Sequence, residues 1–135
     1  MPDLKKILFV CVENAGRSQM AEGFFRNIAP HGFEPESAGT RPIDSISPLA
    51  VEVMREIGID IAKQRPKVLS EDMIKNSYRI VNMGCMDKES CPALFVGGIL
   101  DWNIEDPKGK TLDRVRTIRD DIRKKVEELV STLES

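Results

Sequence analysis

Residues 11–18 read CVENAGRS. A cysteine closes an apolar run, five residues pass, and an arginine and a serine follow. A thiol attacks as its thiolate, a form favoured by helix N-termini and nearby cations. A loop running from a strand into a helix supplies the first of these, because the opening N–H groups of a helix have no intrahelical partner. Gly16 permits the loop to curl, so that the amides of Val12, Glu13, Asn14, Ala15, Gly16, Arg17 and Ser18 can form an anion-binding nest. The Arg17 guanidinium adds a planar fork matched to two oxygens of a tetrahedral oxyanion. Ser18 is placed to donate its hydroxyl to the sulfur, and Asn14 to hold the loop through side-chain to backbone bonds. The chemistry expected is attack by Cys11 on a bound oxyanion. Cysteine and arginine at this spacing also occur by chance, as a buried strand residue and a surface charge. Placement between a strand and a helix, with Gly16 and Ser18 present, favours the nucleophile.

Two more cysteines, Cys85 and Cys91, lie in NMGCMDKESCP. Hydrolysis of a bound ester needs one thiol, whereas a two-electron reduction consumes two and a third can pass the disulfide onward by exchange. Zinc is the structural alternative for three cysteines. The single histidine, His31, lies in a turn remote from them, and zinc ligands are usually spaced more tightly. No metal and no cofactor are expected.

The chain has 135 residues, of which 41% are apolar and 31% charged, which suits one domain over residues 1–135 around one core. A net charge of −2 argues against nucleic acid as a partner and gives no long-range steering of anions, so an anion site must be built locally. The run ILFVCV is too short to span a bilayer and is followed by Glu13, and no membrane association is expected. No signal peptide is evident, so a cytoplasmic location is expected. An odd cysteine count in a reducing compartment points first to catalysis or metal.

The positioning elements follow from periodicity. KKILFVCV, residues 5–12, is a continuous apolar run suited to a buried parallel strand. From Ser18 a helix places Met20, Phe24 and Ile28 on one face, closed by Pro30, His31 and Gly32. FEPESAG predicts a second strand, which Pro35 assigns to an edge. Pro48 opens a helix that Gly58 ends, and Ser70 caps a short helix over residues 71–76. YRIVNMGC is another strand, residues 86–98 are irregular, and DWNIEDP is a short strand running into a loop. Leu112, Val115, Ile118, Ile122, Val126, Leu129 and Leu133 step by three or four along a long amphipathic helix. Strands alternating with helices imply one α/β domain with a mostly parallel sheet. Ligands of such sheets bind beyond the carboxyl ends of the strands, where Cys11 and Cys85 both fall.

CVENAGRS resembles the phosphate loop of the low-molecular-weight tyrosine phosphatase superfamily, and RSQMAEGFFR is similar to the helix that follows it there. SAGT and DWNIEDP match further landmarks, so the resemblance covers nearly the whole chain. It implies a single-domain, three-layer fold with a four-stranded sheet; a monomer is expected. One branch hydrolyses phosphotyrosine; the other reduces arsenate with three cysteines and thioredoxin. NMGCMDKESCP closely resembles the redox segment of the second branch. The resemblance therefore implies an arsenate reductase in which Cys11 attacks arsenate, a Cys11–Cys85 disulfide forms, and Cys91 moves it to Cys85–Cys91 for thioredoxin.

Residues six apart are about 9 Å apart along a helix, whereas a disulfide needs Cα atoms within about 7 Å. The segment is thus expected to refold on oxidation, with Gly84 and Gly97-Gly98 absorbing the change. Asp106 matches the superfamily's general acid, and Trp102 is expected beside the site. The phosphatase branch carries tyrosines after its Asp-Pro, where this chain has Lys108-Gly109, and its one tyrosine is Tyr78. Gly16 stands where many relatives hold a second cysteine. Some reductases of this kind bind potassium through Asn, Glu, Ser and Asp. Asn14, Glu22 and Ser37 match three of these, and Lys67 falls at the fourth, where its ammonium is expected to replace the cation. A phosphatase acting on phosphate monoesters is the alternative enzyme, and a redox or oxyanion sensor the alternative without turnover.

Overall fold

The computed structural model describes residues 4–83 and 99–133. The strands are β1 (Lys5–Cys11), β2 (Phe33–Gly39), β3 (Ser77–Asn82) and β4 (Ile99–Asp101). The helices are α1 (Arg17–Ile28), α2 (Pro48–Arg55), α3 (Glu71–Lys75) and α4 (Leu112–Leu133). The strands form one sheet in the order β2-β1-β3-β4, and all three pairings are parallel. The expected α/β class, the four strands and the edge position of the Pro35 strand are all observed. Pro35 lies opposite Ile7 in the ladder, on the edge strand, whose outer side meets only an isolated bridge at Gly39 and Val68, so its missing N–H is least disruptive there.

The continuous apolar run of β1 is explained by its central place. Residues of a strand alternate between faces. Ile7, Phe9 and Cys11 join the large core made with α1, α2 and α4. Leu8 and Val10 face the other way, with Ala38 and the α3 residues Met73 and Ile74. Helices thus cover both faces, giving three layers. Phe9 sits at the centre of the larger core, its ring 6.1 Å from that of Phe25 and 5.8 Å from that of Trp102. Truncating such a residue to alanine costs about 3–5 kcal/mol.

The element ends follow their local chemistry. Ser47 caps α2 through its side chain with Pro48 in the first turn, and the chain leaves that helix through Gly58 at φ +83°. Ser70 accepts from the Met73 amide at 3.2 Å. Two expected strands are shorter than their sequence suggested. Of YRIVNMGC, β3 keeps only the part to Asn82, and Gly84 and Cys85 lie outside the described residues. Of DWNIEDP, only Asp101 is in β4, which starts at Ile99; the rest is the loop that the active site uses.

α4 lies across α1 and α2, with Val115, Ile118, Ile122, Val126 and Leu129 buried. Arg119 is buried with them. Its Nη1 donates to the Val53 carbonyl and to Glu56 Oε1, both at 2.9 Å. Glu56 also receives Arg116, with Nη2 2.7 Å from Oε2. Hydrogen bonding to Arg116, then to Arg119, holds the Glu56 carboxyl below its ordinary pKa against an opposing effect of burial. A carboxylate whose folded pKa is depressed stabilises the fold fully above its unfolded value, near 4.3, and loses that contribution as pH falls through the folded value. Thermal melting followed by circular dichroism is therefore expected to show a falling Tm below about pH 4.3. Glu56→Gln should lower Tm at neutral pH and flatten that acid limb.

Candidate active site

The loop between β1 and α1 is shaped by where its carbonyls go. Cys11 O accepts from Thr40 N at 3.2 Å, Val12 O from Arg41 N at 2.8 Å, and Glu13 O from Ile43 N at 3.2 Å. Ala15 O accepts from Ser47 N at 2.9 Å, Gly16 O from Met20 N at 2.9 Å, and Asn14 O from Gln19 Nε2 at 2.9 Å. In a trans peptide the N–H points opposite the carbonyl. Carbonyls turned outward onto residues 40–47 and onto α1 therefore turn the loop amides inward. The N-cap of α1 is Gly16, with no side-chain cap, so the first-turn amides face the same space. This is the expected nest.

Cys11 sits at the floor of this nest and is 2% exposed. Ser18 Oγ lies 2.8 Å from its sulfur, and the Asn14 amide donates to it at 3.2 Å. The direction of the serine bond follows from its neighbours. Lys67 N donates to Asn14 Oδ1 at 2.8 Å, so the carboxamide turns its Nδ2 to Ser18 Oγ, 2.7 Å away. A hydroxyl that accepts there has its proton free for the sulfur. Two donors thus converge on Cys11.

Asn14 is also the one described non-glycine residue in the left-handed region, at φ +53°. Gln19 holds its carbonyl, and Gln64 Nε2 in turn donates to Gln19 Oε1 at 2.8 Å. β2 ends against the same loop. A Cβ at Gly39 would lie 2.4 Å from Val12 O and 2.9 Å from Asn14 N, so only glycine fits there.

Arg17 reaches across the pocket. Its Nη1 donates to Met83 O at 2.9 Å and Ile104 O at 3.2 Å, and Nη2 lies 3.7 Å from Asp106 Oδ2. The two carbonyls hold the guanidinium in place before any anion arrives. Asp106 Oδ1 accepts from Lys108 N at 3.0 Å, which leaves Oδ2 turned toward Arg17. Cys11, Arg17 and Asp106 line one cavity of about 470 Å³, together with the apolar Ile43, Pro48 and Leu49.

The expected residues Cys11, Val12–Ser18 and Asp106 are therefore brought together. Cys85 and Cys91, like Gly84 and Gly97-Gly98, lie outside the described residues. Trp102 packs beneath the site against Phe9 and is not part of the cavity wall. Tyr78 packs on Phe33, a residue at the first register position of the sheet, away from the strand ends that carry the pocket.

Of the four positions compared with a potassium site, Ser37 and Lys67 reach Glu22, and Asn14 touches them only through the Lys67 main-chain amide. Buried Glu22 accepts from Ser37 Oγ at 2.5 Å, with Arg26 at 2.8 Å and the Lys67 ammonium at 3.8 Å. With two cations already on this carboxylate, the set does not fit a potassium ion as well. Among the described residues, no three His, Cys, Asp or Glu side chains gather as metal ligands would.

Sequence reasoning missed Gly39, Gln19, Gln64 and the two carbonyls that fix Arg17. Gly39 alone carried a signal, as a glycine closing a strand. Gly39→Ala is expected to displace the loop while the sheet persists. Such a misplacement costs about a hundredfold in kcat/KM. Steady-state rates and a far-ultraviolet circular dichroism spectrum test this; unchanged rates would contradict it.

Residues 6–135 match the family described as low molecular weight phosphotyrosine protein phosphatase. An arsenate reductase from Staphylococcus aureus (strain Newman) is 35% identical over 129 residues, 94% of this chain and 97% of that protein. A crystallised arsenate reductase in a phosphate-binding state superposes with a TM-score of 0.84 at 31% identity, covering 96% of this chain and 98% of that one. A thioredoxin-dependent arsenate reductase from Corynebacterium glutamicum superposes with a TM-score of 0.81 at 33% identity, covering 98% of this chain and 63% of that one. The inward amides, the thiol beneath them and the pinned arginine are thus set in a sheet shared across these relatives, and the chain belongs to the low molecular weight phosphotyrosine protein phosphatase family.

Proposed function

We propose that this chain is an arsenate reductase that converts arsenate to arsenite and is regenerated by thioredoxin. The observation that carries the reading is the Cys11 sulfur at the floor of an amide-lined oxyanion cradle, with Arg17 pinned beside it and Asp106 across from it. The cradle suits an inorganic oxyanion. Its described walls hold no aromatic ring, and the one tyrosine of the sequence packs elsewhere. Relatives named as arsenate reductases support the choice of oxyanion.

The reaction takes three steps. The Cys11 thiolate attacks arsenic, an oxygen departs as water, and Asp106 supplies its proton. The loop amides and Arg17 stabilise the charge that builds on the remaining oxygens, a preorganised arrangement of the kind that dominates many rate enhancements. Cys85 then attacks the Cys11 sulfur. The S–As bond breaks with its electron pair going to arsenic, arsenite leaves, and a Cys11–Cys85 disulfide remains. Two thiols have given the two electrons that arsenic gained. Cys91 next attacks Cys85, which frees the Cys11 thiolate and leaves Cys85–Cys91 for the dithiol of thioredoxin. The enzyme works as a monomer of one domain in the cytoplasm, where thiols are kept reduced.

The Lys67 ammonium supplies the positive charge beside Glu22 that the resemblance assigns to potassium in some reductases, while the main-chain amide of the same residue holds Asn14. Turnover is expected to be indifferent to replacing sodium by potassium at constant ionic strength. A strong response to potassium would contradict this role.

The same cradle accepts a phosphate monoester, so slow phosphatase activity is expected as a side reaction through a Cys11 phosphoenzyme. Cys91→Ser, supplied with thioredoxin and its reductase, should release one arsenite per enzyme and stall with Cys11 joined to Cys85. Cys85→Ser should release none. Sustained turnover by Cys91→Ser would refute the relay. Arsenate-independent hydrolysis of aryl phosphate at full enzymatic rates, untouched by either substitution, would instead favour the phosphatase reading.

A further inference from the structure

Two charged side chains stand at the pocket mouth without a role in the chemistry above. Glu13 belongs to the β1–α1 loop, and Lys108 follows Asp106 by two positions. Lys108 Nζ lies 3.0 Å from Glu13 Oε2, and both residues line the cavity that holds Cys11. Side-chain exposure is 72% for Lys108 and 34% for Glu13, so the pair contributes little to stability. Nor are the two loops dependent on it for contact. Arg17 already bonds to Ile104 O, and Pro107 stands 3.1 Å from where a Cβ of Gly16 would be.

The charge arrangement at the mouth calls for another explanation. A carboxylate there repels the dianion that the floor is built to receive, and Lys108 cancels that repulsion at contact distance. The net charge of −2 offers no compensating attraction from the rest of the molecule. The four charged side chains lining the described cavity, Glu13, Arg17, Asp106 and Lys108, are thereby balanced in sign.

We propose that Glu13 and Lys108 are a matched charge gate that sets the affinity of the pocket for small inorganic oxyanions. Glu13 keeps the ammonium over the mouth while the pocket is empty, and Lys108 turns its attraction onto the entering anion. The two are specificity-determining residues, distinct from the groups that react. The gate rests on the reading of the cavity as an oxyanion site and is independent of the redox relay.

A readout without turnover tests it. Cys11 is alkylated in the full-length reduced protein by iodoacetate, an anion, and by iodoacetamide, its neutral counterpart, and modification is followed at the Cys11 peptide by mass spectrometry. The ratio of the two rates reports the field at the mouth, and the neutral reagent corrects for changes in the thiol itself. Protection of Cys11 by inorganic phosphate gives the same information for a dianion. A unit charge within about one Debye length changes the rate for a monoanion by about three- to fivefold, and dianion affinity by about the square of that factor.

Lys108→Met is expected to lower the iodoacetate to iodoacetamide ratio by about fourfold and to weaken phosphate protection by about fifteenfold. Glu13→Gln should move both in the opposite direction, and the double variant should return to within about twofold of the parent. The differences should collapse in 1 M potassium chloride, where the Debye length is about 3 Å. Single variants that shift the ratio in the same direction would reveal a structural clasp and overturn the proposal, as would a ratio that none of them changes. Lys108→Gln, which keeps a polar side chain, repeats the measurement if Lys108→Met melts early. Failure of arsenate reduction with this pattern intact would sink the relay and leave the gate standing.

Discussion

One constraint governs the site: six consecutive loop carbonyls, from Cys11 to Gly16, are each claimed by a donor from elsewhere in the chain. The donors come from residues 40–47 and from α1, so the chain that follows β2 acts as a template on which the loop is laid down. That template is close only because Gly39 has no side chain to hold it off. The inward direction of the loop amides follows from it, because peptide planarity turns them inward once the carbonyls are fixed outward. The cost of orienting those dipoles is met on folding, so little reorganisation is left for the moment an oxyanion binds.

Charge is managed by pairing within reach and not by the molecule as a whole. Glu22 is buried next to the loop, yet Ser37, Arg26 and Lys67 surround it. Arg119 is buried between α2 and α4, yet the Val53 carbonyl and Glu56 receive it. A buried charge with its partner removed is strongly destabilising, whereas the intact pair is close to neutral. Such pairs therefore specify which helix meets which more than they add stability. Glu22 ties α1 to β2 and to the segment that carries Lys67, and Glu56 ties α2 to α4.

How much of this the sequence disclosed depended on the range of each interaction. Periodicity is local, so α4 from Leu112 to Leu133 was legible in full, and the continuous apolar run of β1 declared a buried strand. Pro35 announced an edge by the donor it lacks. Cys11, Gly16, Arg17 and Ser18 share one short loop, and their chemistry was readable from spacing. Asp106 sits 95 positions from Cys11, and only the family resemblance singled it out. The supports of the loop were hidden for the same reason. Gln64 is 45 residues from Gln19, Lys67 meets Asn14 through a main-chain amide that any residue would offer, and Met83 and Ile104 act through carbonyls. Backbone groups carry no signature in side-chain identity. The ends of β3 and β4 were misjudged because apolar runs do not reveal where ladder partners stop.

The Arg17 guanidinium touches β1's loop by covalent descent, the carbonyl at the end of β3 through Met83, and the loop beyond β4 through Ile104. Three neighbouring strands thus terminate on a single planar cation, like spokes on a hub. In sequence, Met83 is followed immediately by the stretch that bears Cys85. The grip on an oxyanion and the hold on the end of β3 are consequently tasks of one side chain: a shift of Met83 re-aims the guanidinium, and a load on the guanidinium is felt at Met83.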